Sequence, residues 1–172
     1  MKCHYTPHDI AVFFLISNFT QRDERMVLNA IWKNENALLS DAYRKDETRF
    51  RRVVYAELSK FDSTPEELDE LKLLMRDIEV SPLFENEQMM QDIIASYFKI
   101  IKLELKYTRE VKYRKTKLRT LLRRFHYKRR SVKLAKEIKQ ILRTLKLKTY
   151  LRDYVPCDIA KVSVDDVIIF RL

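Results

Sequence analysis

The chain has 172 residues, a formal net charge of +10 and no glycine. That length allows one domain, or one domain with an extension, and 46% apolar residues can fill a core, which excludes wholesale disorder. Average glycine usage is about 7%; its absence removes the phosphate-cradling loop, the dinucleotide fingerprint and the glycine-flanked nucleophile elbow, and it disfavours the tight hairpins of all-β folds.

An all-α fold is therefore expected, with left-handed turn positions falling to Asn or Asp. In chain order, Thr6-Pro7-His8-Asp9 opens a first helix, with Thr6 as its cap, Pro7 in the first turn and Asp9 at the third position. It runs to about residue 19. Its apolar stretch, residues 10–16, is far shorter than the roughly 18–20 residues that cross a bilayer. The stretch follows Asp9 and lacks a small-residue cleavage site, so it reads as buried helix and not as a secretion signal.

A second helix is predicted over residues 22–39, with Met26, Ala30 and Ile31 at helical spacing and Trp32 in the core. A third follows over 41–61, placing Tyr43, Phe50, Val54 and Leu58 near one stripe. Ser63-Thr64-Pro65-Glu66-Glu67 combines a cap, a first-turn proline and a capping-box glutamate. It opens a fourth helix that presents Leu68, Leu71, Leu74, Met75 and Ile78 and stops at Ser81-Pro82. From Glu87 a long helical phase links Ile94, Phe98, Ile101, Leu105, Leu118, Leu122 and Phe125, with Lys99, Lys102, Lys106, Arg109 and Lys112 on other faces. The stripe thins between Tyr107 and Leu118, leaving one long helix or two. Residues 126–130 form a connection. Ser131 caps a last helix bearing Leu134, Ile138, Ile141, Leu142 and Leu145. Residues 154–172 are ambiguous: Ser163 with Asp166 suits a helix start, while Val162, Val164 and Val167 to Phe170 suit a strand.

Charge divides the chain. Residues 1–98 carry 12 basic and 18 acidic side chains, a balance of −6; residues 99–172 carry 23 and 7, a balance of +16. Residues 99–152 alone hold 21 basic side chains against Glu104, Glu110 and Glu137. A solvated helix face ordinarily mixes signs, because Glu–Lys pairs stabilise it; this stretch lacks the partners. The expected organisation is an acidic-to-neutral helical body over 1–98, a basic antiparallel helical hairpin over 99–152, and a C-terminal segment over 153–172 packing on the body.

The hairpin carries the main functional candidate. Arg114, Lys115, Lys117, Arg119, Arg123, Arg124, Tyr127, Lys128, Arg129, Arg130, Lys133 and Lys136 are the expected nucleic-acid contacts. Lysine and arginine neutralise phosphates and release condensed counterions, and arginine binds phosphate through two parallel hydrogen bonds. Tyr113, His126 and Tyr127 add rings that can stack on unpaired bases. The bland counterpart is a solvated basic face, or one docked on the acidic middle of the same chain.

Cys3, His4, His8 and Asp9 are potential metal ligands without the spacing of a metal site, and no metal or cofactor is expected. Two cysteines, Cys3 and Cys157, make no disulfide framework and fit an intracellular setting, cytoplasm or a eukaryotic nucleus. Glu66, Glu67, Asp69, Glu70, Asp77 and Glu79 read as a solvated acidic face.

Arg119 and His126, with six residues between them, have a spacing that resembles the Arg-x4-6-His motif of the HEPN family of helical ribonucleases, with Thr120 an imperfect fit to the polar residue usual after the arginine. The resemblance covers eight residues and implies that Arg119 and His126 act together on a scissile phosphate. The expected function is non-catalytic binding of RNA or DNA backbone, alone or within a larger protein–nucleic acid complex, with no membrane partner. The alternative is a small helical adaptor or inhibitor docking on an acidic or nucleic-acid-binding site of a larger machine. A metal-independent HEPN-like ribonuclease is the third reading.

Overall fold

A computed structural model describes residues 3–61 and 87–172. The chain folds as two compact units, Met1–Lys72 and Leu73–Leu172. The expected fourth helix, with Thr64, Pro65 and the acidic face from Glu66 to Glu79, lies outside the described residues.

In the first unit, α1 (Pro7–Ser17) begins as its sequence predicts: Asp9 N donates to Thr6 Oγ1, and Thr6 N donates to Asp9 Oδ2 at 2.8 Å, closing a capping box. Thr20 and Asp23 repeat that box at the start of α2 (Gln21–Asn34). The second and third expected helices are each shortened. Residues 22–39 end in a separate 3₁₀ turn, Asn36–Leu38, and residues 41–61 split into α3 (Asp41–Arg44) and α4 (Glu47–Leu58). Asp46 is the cause of the second break, since its side chain accepts from Arg49 N and caps α4 anew. The core between α1 and α4 contains Ile10, Phe13, Phe14, Phe50 and Val54, with Leu28 and Ile31 of α2 also buried. Trp32 donates its ring N–H to the Tyr43 carbonyl at 3.2 Å.

The second unit corrects the all-α expectation. The protein is mostly helical, but it contains a three-stranded antiparallel sheet, with two strands from the region expected to be a helical hairpin, 99–152, and the third from the C-terminal segment. Helix α5 (Glu87–Tyr107) ends before the basic run, and Arg114–Lys117 form strand β1. The elements α6 (Leu118–Arg124), α7 (Val132–Leu145), β2 (Lys148–Tyr150) and β3 (Val167–Arg171) follow. The sheet order is β1-β3-β2. Arg114-Lys115-Thr116-Lys117 has no apolar stripe to bury as a helix; paired with Val167-Ile168-Ile169-Phe170 it completes a sheet whose other strand supplies the core residues. The ambiguous C-terminal segment is thus the central strand. Asp166 accepts from Ser163 N at 2.8 Å in the turn that precedes it.

The core of this unit is aromatic. Phe98 of α5, Phe125 after α6 and Phe170 of β3 stack with centroids 5.6 to 6.2 Å apart and are fully buried. Ile94, Leu103, Leu121, Ile138, Ile141 and Leu145 surround them in the same buried set. Residues 98 to 104 of α5 are buried without a break, so Lys99 and Lys102, expected on outer faces, are buried too.

Two of the helices end without glycine in a motif that favours it. His126, at φ 56°, donates to the Arg123 carbonyl, while Tyr127 N reaches the Leu122 carbonyl at 2.9 Å. Lys146, at φ 57°, donates to Arg143, while Leu147 N reaches Leu142 at 2.9 Å. Both are Schellman closures. Left-handed backbone was expected at Asn or Asp; it occurs at Asn18 and Asp153, and also at His126, Lys146 and Tyr154.

Candidate nucleic-acid interface

Helix α7 sorts its side chains cleanly. Leu134, Ala135, Ile138, Ile141, Leu142 and Leu145 are buried on one face. Lys133, Lys136, Gln140 and Arg143 are exposed and recur at three, four and three residues, which is one stripe on the opposite face. No carboxylate falls on it; Glu137, half-buried, lies to its side. Ser131 fixes where the helix begins, its hydroxyl oxygen accepting from Leu134 N at 3.1 Å.

The segment between β2 and β3, residues 151–166, is tied by two basic side chains, one in α7 and one in the connection just before it. Lys139 binds Asp158 at 2.8 Å. The Arg130 guanidinium donates to the Ile159 carbonyl at 3.0 Å and to the Val162 carbonyl. Hydrogen bonds from Lys139 and from Ala160 N hold the Asp158 carboxyl below its ordinary pKa. Between helix and segment runs a groove of about 650 Å³, bordered by Val132, Lys136, Lys139, Gln140, Arg143 and Ala160 among others.

The twelve sequence-predicted contacts divide by what they touch. Arg114 forks onto Glu104, with Nε at 2.9 Å from Oε2 and Nη2 on Oε1, and Glu104 is buried. It joins β1 to α5 instead of facing outward. Arg130 holds the 159–162 turn. Arg124 lies 4.9 Å from the centre of the Tyr97 ring, whose phenol pKa is raised by burial, the charge of Arg124 opposing. Arg119 pairs with Asp165 at 2.9 Å on the surface. Lys115, Lys117, Arg123, Lys128, Arg129, Lys133 and Lys136 are exposed, and Tyr127 is half-buried. Lys139, Gln140 and Arg143 were not singled out, although their i, i+3, i+7 spacing from Lys133 and Lys136 is readable once α7 is in phase.

Arg119 and His126 sit at opposite ends of α6. At 1.5 Å per residue their backbones are about 10 Å apart, with the Schellman closure turning the chain at His126. The N-terminal quartet is likewise dispersed in role: Asp9 closes the α1 capping box, His8 contacts Glu57 at 3.2 Å, and Cys3 is buried. Comparison with protein-family models, curated proteins and solved structures finds no match.

Proposed function

We propose that the second unit is a winged helix-turn-helix module that binds duplex DNA without turnover, α7 entering the major groove and residues 151–166 forming the wing. The observation that carries this reading is the carboxylate-free stripe of Lys133, Lys136, Gln140 and Arg143 on the solvent face of α7. The connectivity supports it: helix, strand, helix, helix, then two strands with the last in the centre, is a helix-turn-helix followed by a β-hairpin. The connection between α6 and α7, residues 125–131, is longer than the usual three or four residues.

From Lys133 to Arg143 the stripe is about 15 Å long by helix rise, and a helix about 10–12 Å in diameter fits a groove about 12 Å wide. Gln140 has the amide geometry that pairs with adenine, and Arg143 or the lysines can reach guanine or phosphate. Arg123, Lys128 and Arg129, exposed at the turn, supply sequence-independent backbone contacts. Arg119 and His126, at opposite ends of α6, act in binding and scaffold, not in cleavage.

The test is fluorescence anisotropy of the full chain with a labelled duplex over a range of salt. Each lost phosphate contact lowers the slope of log K against log salt by about 0.9. Changing Lys133, Lys136 and Arg143 together to Ala is expected to lower it by about 2 to 3. Gln140→Ala should leave the slope unchanged and relax preference at one base pair. Negligible duplex binding at about 50 mM salt, or an unchanged slope in the folded triple variant, overturns the reading and moves the acidic-protein partner to first place.

A further inference from the structure

Among the described residues, the sheet of the second unit has one face whose side chains are exposed or half-buried along its length. Register assigns the faces, because residues opposite one another in antiparallel strands point the same way. Arg114, Phe170 and Thr149 share one side, with Phe170 buried against Phe98. Lys115, Ile169 and Tyr150 share the other, as do Lys148 and Arg171, and Lys117 and Val167. Tyr113 precedes β1 by one residue, which extends the register to place it beside Arg171 on this outer side.

The rings there are accessible and connected. Tyr113 is 46% exposed and Tyr154 60%. The Arg171 guanidinium lies 5.7 Å from the centre of the Tyr113 ring and 4.5 Å from that of Tyr154. It also donates to the Tyr154 hydroxyl at 2.9 Å. Tyr150 meets Tyr154 edge to face at 6.4 Å. Tyr154 is held at φ 61° directly after Asp153 at φ 60°. Left-handed backbone is disfavoured for an aromatic residue, and here it is the conformation in which the ring meets Arg171. Lys115, Lys117 and Lys148 are exposed on the same face, and none of the three strands contains an acidic residue.

We propose that this outer face is a second nucleic-acid site, one that takes an unpaired strand by stacking its bases on Tyr113 and Tyr154. Aromatic rings stack on any base, and lysines beside them follow the backbone, which gives affinity with little sequence preference. A second copy of the chain is a poor occupant, since two such faces would oppose Lys115, Lys117, Lys148 and Arg171 to themselves. A duplex is poor as well, because its bases are stacked internally and offer no free ring face. The site is separate from the α7 stripe and does not require it.

The experiment uses the full chain, a labelled twelve-nucleotide thymidine oligomer and a labelled duplex, at about 50 mM salt. Stacking contributes enough per base that changing Tyr113 and Tyr154 to Leu, which keeps apolar bulk, is expected to weaken oligomer binding about tenfold per ring. Phe at both positions should retain it, and duplex binding should stay within twofold for both variants. Conversely, the Lys133, Lys136 and Arg143 triple variant should lose duplex and keep oligomer, so failure of either site is separately visible. The proposal is overturned if the oligomer does not bind, or if the double Leu variant binds it within twofold of the unchanged chain. It is also overturned if polyglutamate competes equally well and is insensitive to the Leu changes, which would make this a face for an acidic protein.

Discussion

Arg114 shows why a basic residue in a basic run is not automatically a ligand contact. Its fork onto Glu104 satisfies a carboxylate whose side chain is only 8% exposed, while Arg114 itself is 41% exposed. Deleting the arginine leaves a buried charge unpaired, a change that costs about 3–5 kcal/mol when both partners are buried; the half-open position of Arg114 reduces that to about 2. Arg114→Ala should therefore lower the unfolding free energy measured by urea titration by that amount, without altering the salt slope of DNA binding. Arg114→Lys should recover only part, because an ammonium cannot make the two parallel bonds. A variant with normal stability and a reduced slope would return Arg114 to the interface. The same logic applies to Arg130, whose partners are the backbone carbonyls of Ile159 and Val162.

At the scale of elements, the first unit was legible where local chemistry decides: Thr6 with Asp9, and Ser131, are side chains that cap whatever helix follows them. Of the strands, only β3 was legible, as one of two readings of residues 154–172; β1 and β2 were not. Residues 114–117 lie within a helical phase from Phe98 to Phe125 that is broken in the fold, and the strand that pairs with them, residues 167–171, is fifty residues away. Pairing at that separation leaves no local trace in Arg-Lys-Thr-Lys. The stripe of α7 could be read by phase, but the sheet's outer face could not, since it exists only through register. The missing glycines left their own mark in the Schellman closures. Lys146→Gly and His126→Gly, each removing a Cβ from left-handed backbone, should each stabilise the unit by about 0.5–1 kcal/mol; unchanged melting would show that local contacts of Lys146 and His126 offset the strain. The Lys139–Asp158 pair offers a pH readout. Asp158 has a depressed folded pKa, so its contribution is present above the unfolded value, near 3.8, and is lost as pH falls through the folded one. The Ala160 amide donates to Asp158 at 2.9 Å, and its NMR shift should titrate below 3.8. Lys139→Met should move that midpoint upward.

Over the whole molecule, the +16 balance of residues 99–172 is a source of self-repulsion and, in the proposed reading, of affinity for DNA. Within this stretch three of the seven acidic side chains are held in ion pairs: Glu104 with Arg114, Asp158 with Lys139, and Asp165 with Arg119. Screening should consequently stabilise the fold. The Debye length falls from about 30 Å at 0.01 M to about 8 Å at 0.15 M, so repulsion among the exposed lysines and arginines weakens while the buried Glu104 carboxylate is screened much less. The melting temperature is expected to rise over that range in sodium chloride, and to rise further with duplex DNA, by an amount set by mass action. A duplex at a hundred times its dissociation constant adds about 2.7 kcal/mol. The two effects work against each other, because the salt that relieves repulsion also weakens phosphate binding. Free protein should therefore be most stable at the higher salt, and complexed protein should gain most at the lower. Differential scanning calorimetry with and without duplex, at both ends of the range, measures the crossing. The triple variant at Lys133, Lys136 and Arg143 should show a smaller salt effect when free and little gain from duplex. A protein whose melting falls with salt in the absence of DNA would show that ion pairs, not repulsion, dominate its surface, and would remove the charge argument for an anionic partner.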